Sequence, residues 1–199
     1  MVTKANTLVL LMKHLKVGII GPTNMRKLTR LTGKPKSFFL KKAEELGRIL
    51  AIHGCELWVN SDGGMPGTVA LSYKKHKGKS LVVLYPRKSV PWPNKHTQPY
   101  RKVADRVSIQ PNWFWANYEV VSAPALCICV GLSAGTLSEL AYIKWNIQFQ
   151  KGKLKDLVVI EELVRGKILP PEIGIEVRSM VTYLKKAENL DAFLEKLLK

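Results

Sequence analysis

The sequence predicts a Rossmann-like α/β fold, a doubly wound parallel sheet in a single domain over residues 1–199. Three observations predict it. Strand-sized apolar runs alternate with longer segments of helical period, the pattern of βαβ units. Several of those runs end in glycine- or proline-bearing turns that open the next helix. The alternation persists along the chain with no linker-like or repetitive stretch to divide it.

The first strand is read over Leu15–Ile20 and is stopped by Gly21-Pro22. The basic, Gly/Pro-punctuated stretch from Asn24 to Pro35 reads as a loop or broken short helix. Ser37 is placed to cap a helix over about Phe38–His53, where Phe39, Ala43, Leu46, Ile49 and Leu50 recur at helical spacing and Gly54 closes it. A second strand, Glu56–Val59, leads through a glycine turn into a helix from about Thr68 to Lys77, and Ser80–Tyr85 is the third strand. Such a βαβαβ succession implies parallel pairing with right-handed crossovers. Five prolines lie within residues 86–111, which read as a long loop, a candidate ligand lid, plus a short strand near Arg106–Ile109. Helix Asn112–Val121, strand Leu126–Val130 and helix Thr136–Phe149 follow. Strands near Leu157–Ile160 and Met180–Leu184 and an amphipathic helix over Leu190–Leu198 complete the reading.

The composition, 46% hydrophobic and 24% charged, is that of a chain able to bury one core. The longest apolar runs fall well short of the roughly 20 residues that cross a bilayer. The Leu8–Met12 run leads into Lys13 and Lys16 without a cleavage signal, so the chain reads as cytoplasmic with no membrane partner. Cys55, Cys127 and Cys129 cannot form a paired disulfide framework, and no other His or Cys lies at ligand-like spacing from Cys127 and Cys129. They read as buried thiols, and no metal site is expected. Lysine and arginine number 32 against 15 acids, a formal charge of +17 that favours an anionic partner. Nucleic acid, a phosphate-bearing small molecule and a merely soluble lysine-rich surface all fit that charge.

Two turns share one layout of apolar strand, glycine turn and helix start. They are Asp62-Gly63-Gly64-Met65-Pro66-Gly67-Thr68 and Gly131-Leu132-Ser133-Ala134-Gly135-Thr136. Glycine admits positive φ and lets a ligand approach the backbone. A helix start adds free N–H groups and the positive end of the dipole, which together suit phosphate. In a parallel sheet these turns gather at the carboxyl edge, where Gly21, Thr23 and Asn24 after the first strand would join them. The phosphate-binding set expected is therefore Gly21, Thr23, Asn24, Gly63, Gly64, Gly67, Thr68, Gly135 and Thr136. Neither turn carries the dinucleotide fingerprint or the P-loop lysine, which argues against NAD binding and ATP hydrolysis.

The order of Gly21, then Gly63-Gly64-x-x-Gly67, then Gly135-Thr136-x-x-Glu139 resembles the LOG-like “possible lysine decarboxylase” family of the SLOG superfamily, over about residues 15–160. That resemblance implies a Rossmann-like fold and a nucleotide-type ligand. In the LOG members it implies a phosphoribohydrolase that cleaves the N-glycosidic bond of nucleoside 5′-monophosphates. A related branch, the molybdenum-cofactor carriers, makes a nucleotide monophosphate or a molybdopterin-type cofactor the expected ligand, and the family implies a homodimer or higher homo-oligomer. Distant relatives bind single-stranded DNA, so a nucleic-acid module is a further alternative.

By the same resemblance Glu139 is the candidate catalytic residue, facing the ribose and the scissile bond. Read without it, Glu139 is an acid complementing a helix dipole. Departures from the family pattern bear on the chemistry. Gly131, Leu132 and Ser133 stand where the family has Pro-Gly-Gly, and Ala116 stands where its hydrolases place an arginine. Either Arg101 or Arg106 enters the site from the preceding segment, or the chain binds its ligand without hydrolysing it. The cluster Trp113-Phe114-Trp115 could stack on a base or pterin, or fill core or a subunit interface.

Overall fold

The computed structural model describes residues 14–87 and 97–199. They form one seven-stranded, wholly parallel sheet. Its strands are β1 (Lys16–Ile20), β2 (Glu56–Asn60), β3 (Leu81–Pro86), β4 (Arg106–Gln110), β5 (Leu126–Cys129), β6 (Asp156–Ile160) and β7 (Val181–Leu184). The spatial order is β4-β3-β2-β1-β5-β6-β7, so the winding reverses between β1 and β5. Ligands of open α/β sheets bind at such a reversal, beyond the carboxyl ends of the strands.

The helices are α1 (Met25–Thr32), α2 (Lys36–Ile52), α3 (Gly64–Lys75), α4 (Gln98–Val103), α5 (Trp113–Ser122), α6 (Ala134–Phe149), α7 (Pro171–Val177) and α8 (Asn189–Leu197). Strand alternation divides the core into two layers. Val17, Ile19, Leu57, Val59, Leu126 and Ile128 pack with Phe39 and Leu46 of α2, Val69 and Tyr73 of α3, and Leu190 and Leu194 of α8. Ile20, Trp58, Val82, Leu84, Cys127 and Cys129 face the other way, onto Val120 of α5, Leu140 and Ile143 of α6 and Val177 of α7. All three cysteines are free and buried, and burial pushes the thiols of Cys55 and Cys129 up to about 12. No helix among the described residues is long and apolar enough to cross a membrane.

Several segments differ from expectation. The stretch after β1 is a regular helix, because Asn24 caps it by accepting from the Lys27 amide at 2.9 Å and Gly33 closes it in the left-handed region. α2 starts at Lys36, so Ser37 lies inside its first turn rather than at the cap. α3 starts at Gly64 rather than near Thr68, taking the glycine turn into the helix itself. Within residues 86–111 the sequence hides α4, whose first turn accepts Pro99 because an amide there needs no intrahelical partner. The short strand is present as β4, whereas 88–96, the centre of the proposed lid, lies outside the described residues. The Leu8–Met12 run lies outside them as well. α7, in the tail, had no forecast.

Candidate ligand-binding site

The reversal between β1 and β5 opens into a cleft of about 440 Å³. This is within the range of small-molecule sites. One wall is the β1–α1 turn, with Gly21, Pro22, Thr23 and Asn24, followed by Lys27 and Leu31 of α1. The opposite wall is the β5–α6 turn, Leu132 to Thr136, with Glu139 one turn further along α6. Asn60 and Asp62 after β2, Pro66, and Trp113 and Asn117 of α5 form the remaining side.

α6 presents its N-terminus to this cleft in usable form. Ser133 is the cap, its hydroxyl accepting from the Thr136 amide at 3.1 Å and lying 2.9 Å from the Thr136 hydroxyl. The next intrahelical bond is Leu137 to Ser133, so the Ala134 and Gly135 amides donate to no acceptor among the described residues. Both residues are exposed, and a Cβ on Gly135 would meet nothing closer than the Ser133 hydroxyl at 3.8 Å. Two free amides, a helix dipole and the exposed Lys27 across the cleft create a positive pole there.

The floor is built differently. Glu139 is 5% exposed, and its carboxyl accepts from the Asn60 amide nitrogen at 3.0 Å. The same nitrogen donates to the Asn117 side-chain oxygen at 2.8 Å. No lysine or arginine pairs with Glu139 among the described residues, and burial raises its carboxyl well above the usual carboxylate range despite the Asn60 bond. Glu139 thus holds its proton more tightly than an exposed carboxyl does. Asn60, at the end of β2, has given its NH₂ group to two oxygens, and its own buried side-chain oxygen has no partner among the described residues. An unsatisfied buried acceptor costs roughly 1–3 kcal/mol, which a ligand N–H or O–H would recover.

The Asp62–Thr68 glycine turn is closed. The Met65 amide is taken by the Pro22 carbonyl at 2.9 Å, tying the start of α3 to the β1–α1 turn. Gly64 sits at φ +66° against the backbone of Pro22 and Thr23, where any Cβ would collide. Gly67 lies under the Tyr100 ring of α4, and Gly63 also faces that residue. The Thr68 hydroxyl donates back to the Gly64 carbonyl at 2.8 Å and lies outside the cleft wall. Of the expected set, Gly21, Thr23, Asn24, Gly135, Thr136 and Glu139 come together at the cleft. Gly63, Gly64, Gly67 and Thr68 do not line it, because this turn is packed against the β1–α1 turn and against Tyr100 of α4.

Neither proposed arginine reaches the cleft. Arg101 lies over the Tyr85 ring, and Arg106 stacks on Trp58 with Glu56 at 3.4 Å. Ala116 is fully buried. Phe114 and Trp115 point outward at 73% and 52% exposure, leaving Trp113 as the aromatic residue of that cluster in the cleft wall. Asn60, Asn117, Lys27 and Ser133 had no role in the sequence reading. For Asn60 and Ser133 a signal existed, since Asn60 is a polar residue ending the strand before one singled-out turn and Ser133 lies within the other. No cluster of three or more His, Cys, Asp or Glu able to hold a metal occurs among the described residues.

No family model matches the chain, and no curated protein matches it. Solved structures do. The molybdenum cofactor binding protein from the phototrophic bacterium Rippkaea orientalis superposes with a TM-score of 0.66 at 18% identity, covering 94% of this chain and 99% of that one. The molybdenum cofactor carrier protein from Chlamydomonas reinhardtii gives 0.63 at 16% identity over the same shares. DNA processing protein A from Helicobacter pylori, described for its single-stranded DNA binding mode, gives 0.58 at 15% identity over 92% of this chain and 80% of that one. The chain therefore carries the Rossmann-like fold of the cofactor-carrier and DNA-processing proteins, as its resemblance to the LOG-like and SLOG proteins implied.

Proposed function

We propose that this protein binds a phosphorylated, nucleotide-derived ligand, a nucleotide monophosphate or a molybdopterin-type cofactor, in the β1/β5 cleft without hydrolysing it. The observation that carries this reading is the open N-terminus of α6. Its Ala134 and Gly135 amides, with Lys27 opposite, suit one phosphate. The ring system would lie toward Trp113, with a ring N–H or a hydroxyl meeting the unpartnered Asn60 oxygen. These residues fit a phosphate-bearing pterin as well as a purine, since both offer such donors and a flat face. When bound, a molybdopterin-type group would supply dithiolene coordination of its metal, while the chain supplies phosphate capture, donor recognition and shelter from water.

The state of Glu139 argues against N-glycosidic cleavage. Stabilising positive charge on the ribose requires an ionised carboxylate, and burial disfavours that form at Glu139, with no arginine among the described residues of the cleft wall. One observation favours the hydrolase reading: a second carboxyl, Asp62, lines the same cleft, and an acid paired with a carboxylate is the usual glycosidase equipment. Native mass spectrometry of freshly purified protein, followed by calorimetry with AMP and an assay for released base, separates the two. Binding with negligible turnover is expected. Base release near one turnover per second that disappears in both Glu139→Gln and Asp62→Asn would overturn the carrier reading.

The same reading includes a homodimer through α5 and α6. Phe114, Trp115, Leu137, Trp145 and Phe149 are exposed on these two packed helices, continued by the edge-to-face Trp115–Tyr118–Tyr142 series. An apolar patch of that kind on a soluble surface suits a two-fold partner. Light scattering should give twice the chain mass, and a monomer at micromolar concentration would contradict it.

A further inference from the structure

A second concavity of about 670 Å³ lies at the carboxyl ends of β6 and β7. It adjoins the ligand cleft, since Leu31 of α1 borders both and a Cβ on Gly131 would fall 3.3 Å from the Leu163 carbonyl. Lys34, Arg165, Lys167, Lys185 and Lys186 line it. Two acids also do, but Glu162 is spent on Lys42 at 2.9 Å and on the Ala187 amide at 2.8 Å, leaving Glu161 against five cations. Arg165, Lys167, Lys185 and Lys186 form no ion pair among the described residues.

Two details distinguish this hollow from an ordinary solvated lysine surface. The Lys34 ammonium is held in place, donating to the Glu162 carbonyl at 2.7 Å and lying over the Phe38 ring. The Arg165-Gly166-Lys167 turn brings two cations to the lining of the hollow, with positive φ at both Gly166 and Lys167. For lysine that conformation is uncommon and strained, and such strain collects at binding sites.

We infer that this hollow is the second half of the ligand site and takes a second phosphate, so that the ligand is two nucleotide units joined through phosphate rather than a mononucleotide. The inference rests on the phosphate reading of the β1/β5 cleft. Among the described residues no aromatic side chain lines the hollow, whereas a surface that tracks a long single strand stacks successive bases on such rings. A compact dinucleotide, with one phosphate at α6 and the other at the Arg165–Lys167 turn, uses both cavities and needs no further platform.

The test is calorimetry at fixed salt with AMP, with 5′-phosphorylated diadenylate, with pyrophosphate-linked diadenosine and with a twelve-nucleotide single strand, on the wild type and on the double variant Arg165→Gln/Lys167→Gln. At least one dinucleotide should bind about ten-fold or more tighter than AMP, as two added charge-assisted contacts would allow. The double variant should erase that gain and leave AMP affinity unchanged. AMP binding with no gain for either dinucleotide overturns this inference and leaves the mononucleotide reading intact. No binding of AMP or of either dinucleotide overturns both. A twelve-mer that outbinds both dinucleotides with a steep loss in salt overturns the compact ligand in favour of a strand.

Discussion

The two glycine turns look interchangeable in sequence and behave oppositely in the fold. After β2, Gly63, Gly64 and Gly67 let α3, α4 and the β1–α1 turn approach until no space remains. After β5, Gly135 has open space in front of it and free amides beneath it. Glycine serves packing at the first turn and access at the second. What separates them is the neighbour: Pro22 and Tyr100 fill the first, and nothing in the described chain fills the second.

The largest expected effect is on the packed side. Gly64→Ala should cost roughly 3 kcal/mol or more, since positive φ and a backbone collision act together. Chemical denaturation should show the loss directly. Gly67→Ala should cost about 1–3 kcal/mol by overpacking, and much of that should return when Tyr100→Ala removes the ring that the new methyl meets. If Tyr100→Ala gives no rescue, Gly67 is constrained by something other than the ring.

On the open side, stability and binding should separate. Gly135→Ala should leave stability within about 0.5 kcal/mol or raise it, because a helix interior favours alanine. It should nonetheless weaken AMP binding by crowding the phosphate. Ser133→Ala should cost roughly 1 kcal/mol of stability for the lost cap. An equal loss of binding on both sides of the comparison would erase the distinction drawn between the two turns.

A smaller effect should appear in the pH dependence at Glu139. Its carboxyl binds its proton more tightly folded than unfolded, so above the ordinary value of 4.5 the unfolded chain releases a proton that the folded chain keeps. Wild-type stability should therefore fall as pH rises from there toward the folded value. Glu139→Gln, which mimics the neutral acid, should lack that decline and gain on the wild type with rising pH. Parallel curves would mean that folding does not raise the proton affinity of Glu139.

Much of this architecture is legible in the sequence, because strand-sized apolar runs ended by turn residues report burial directly. The parallel pairing follows from it, whereas the place where the winding reverses, between β1 and β5, does not. Helix α1 is less legible, since a basic, glycine-closed stretch resembles a loop unless Asn24 and Gly33 are read as its two caps. α4 is hidden among prolines that are harmless in a first turn. At the site, the Gly135–Glu139 segment is readable as a motif. The raised proton affinity of Glu139 is not, because it depends on burial beneath Asn60 and Asn117, which arrive from β2 and α5 without a cation. Nor does spacing alone reveal that one glycine turn is sealed by a tyrosine from α4.

The most direct measurement is an amide-resolved NMR titration of the protein with AMP. The shifts should concentrate at Ala134, Gly135 and Thr136 and at Thr23 to Lys27, with Gly63 to Thr68 moving little. Shifts centred on Gly63 to Thr68 with Ala134 and Gly135 unmoved would contradict the assignment of the anion site to the β1/β5 cleft.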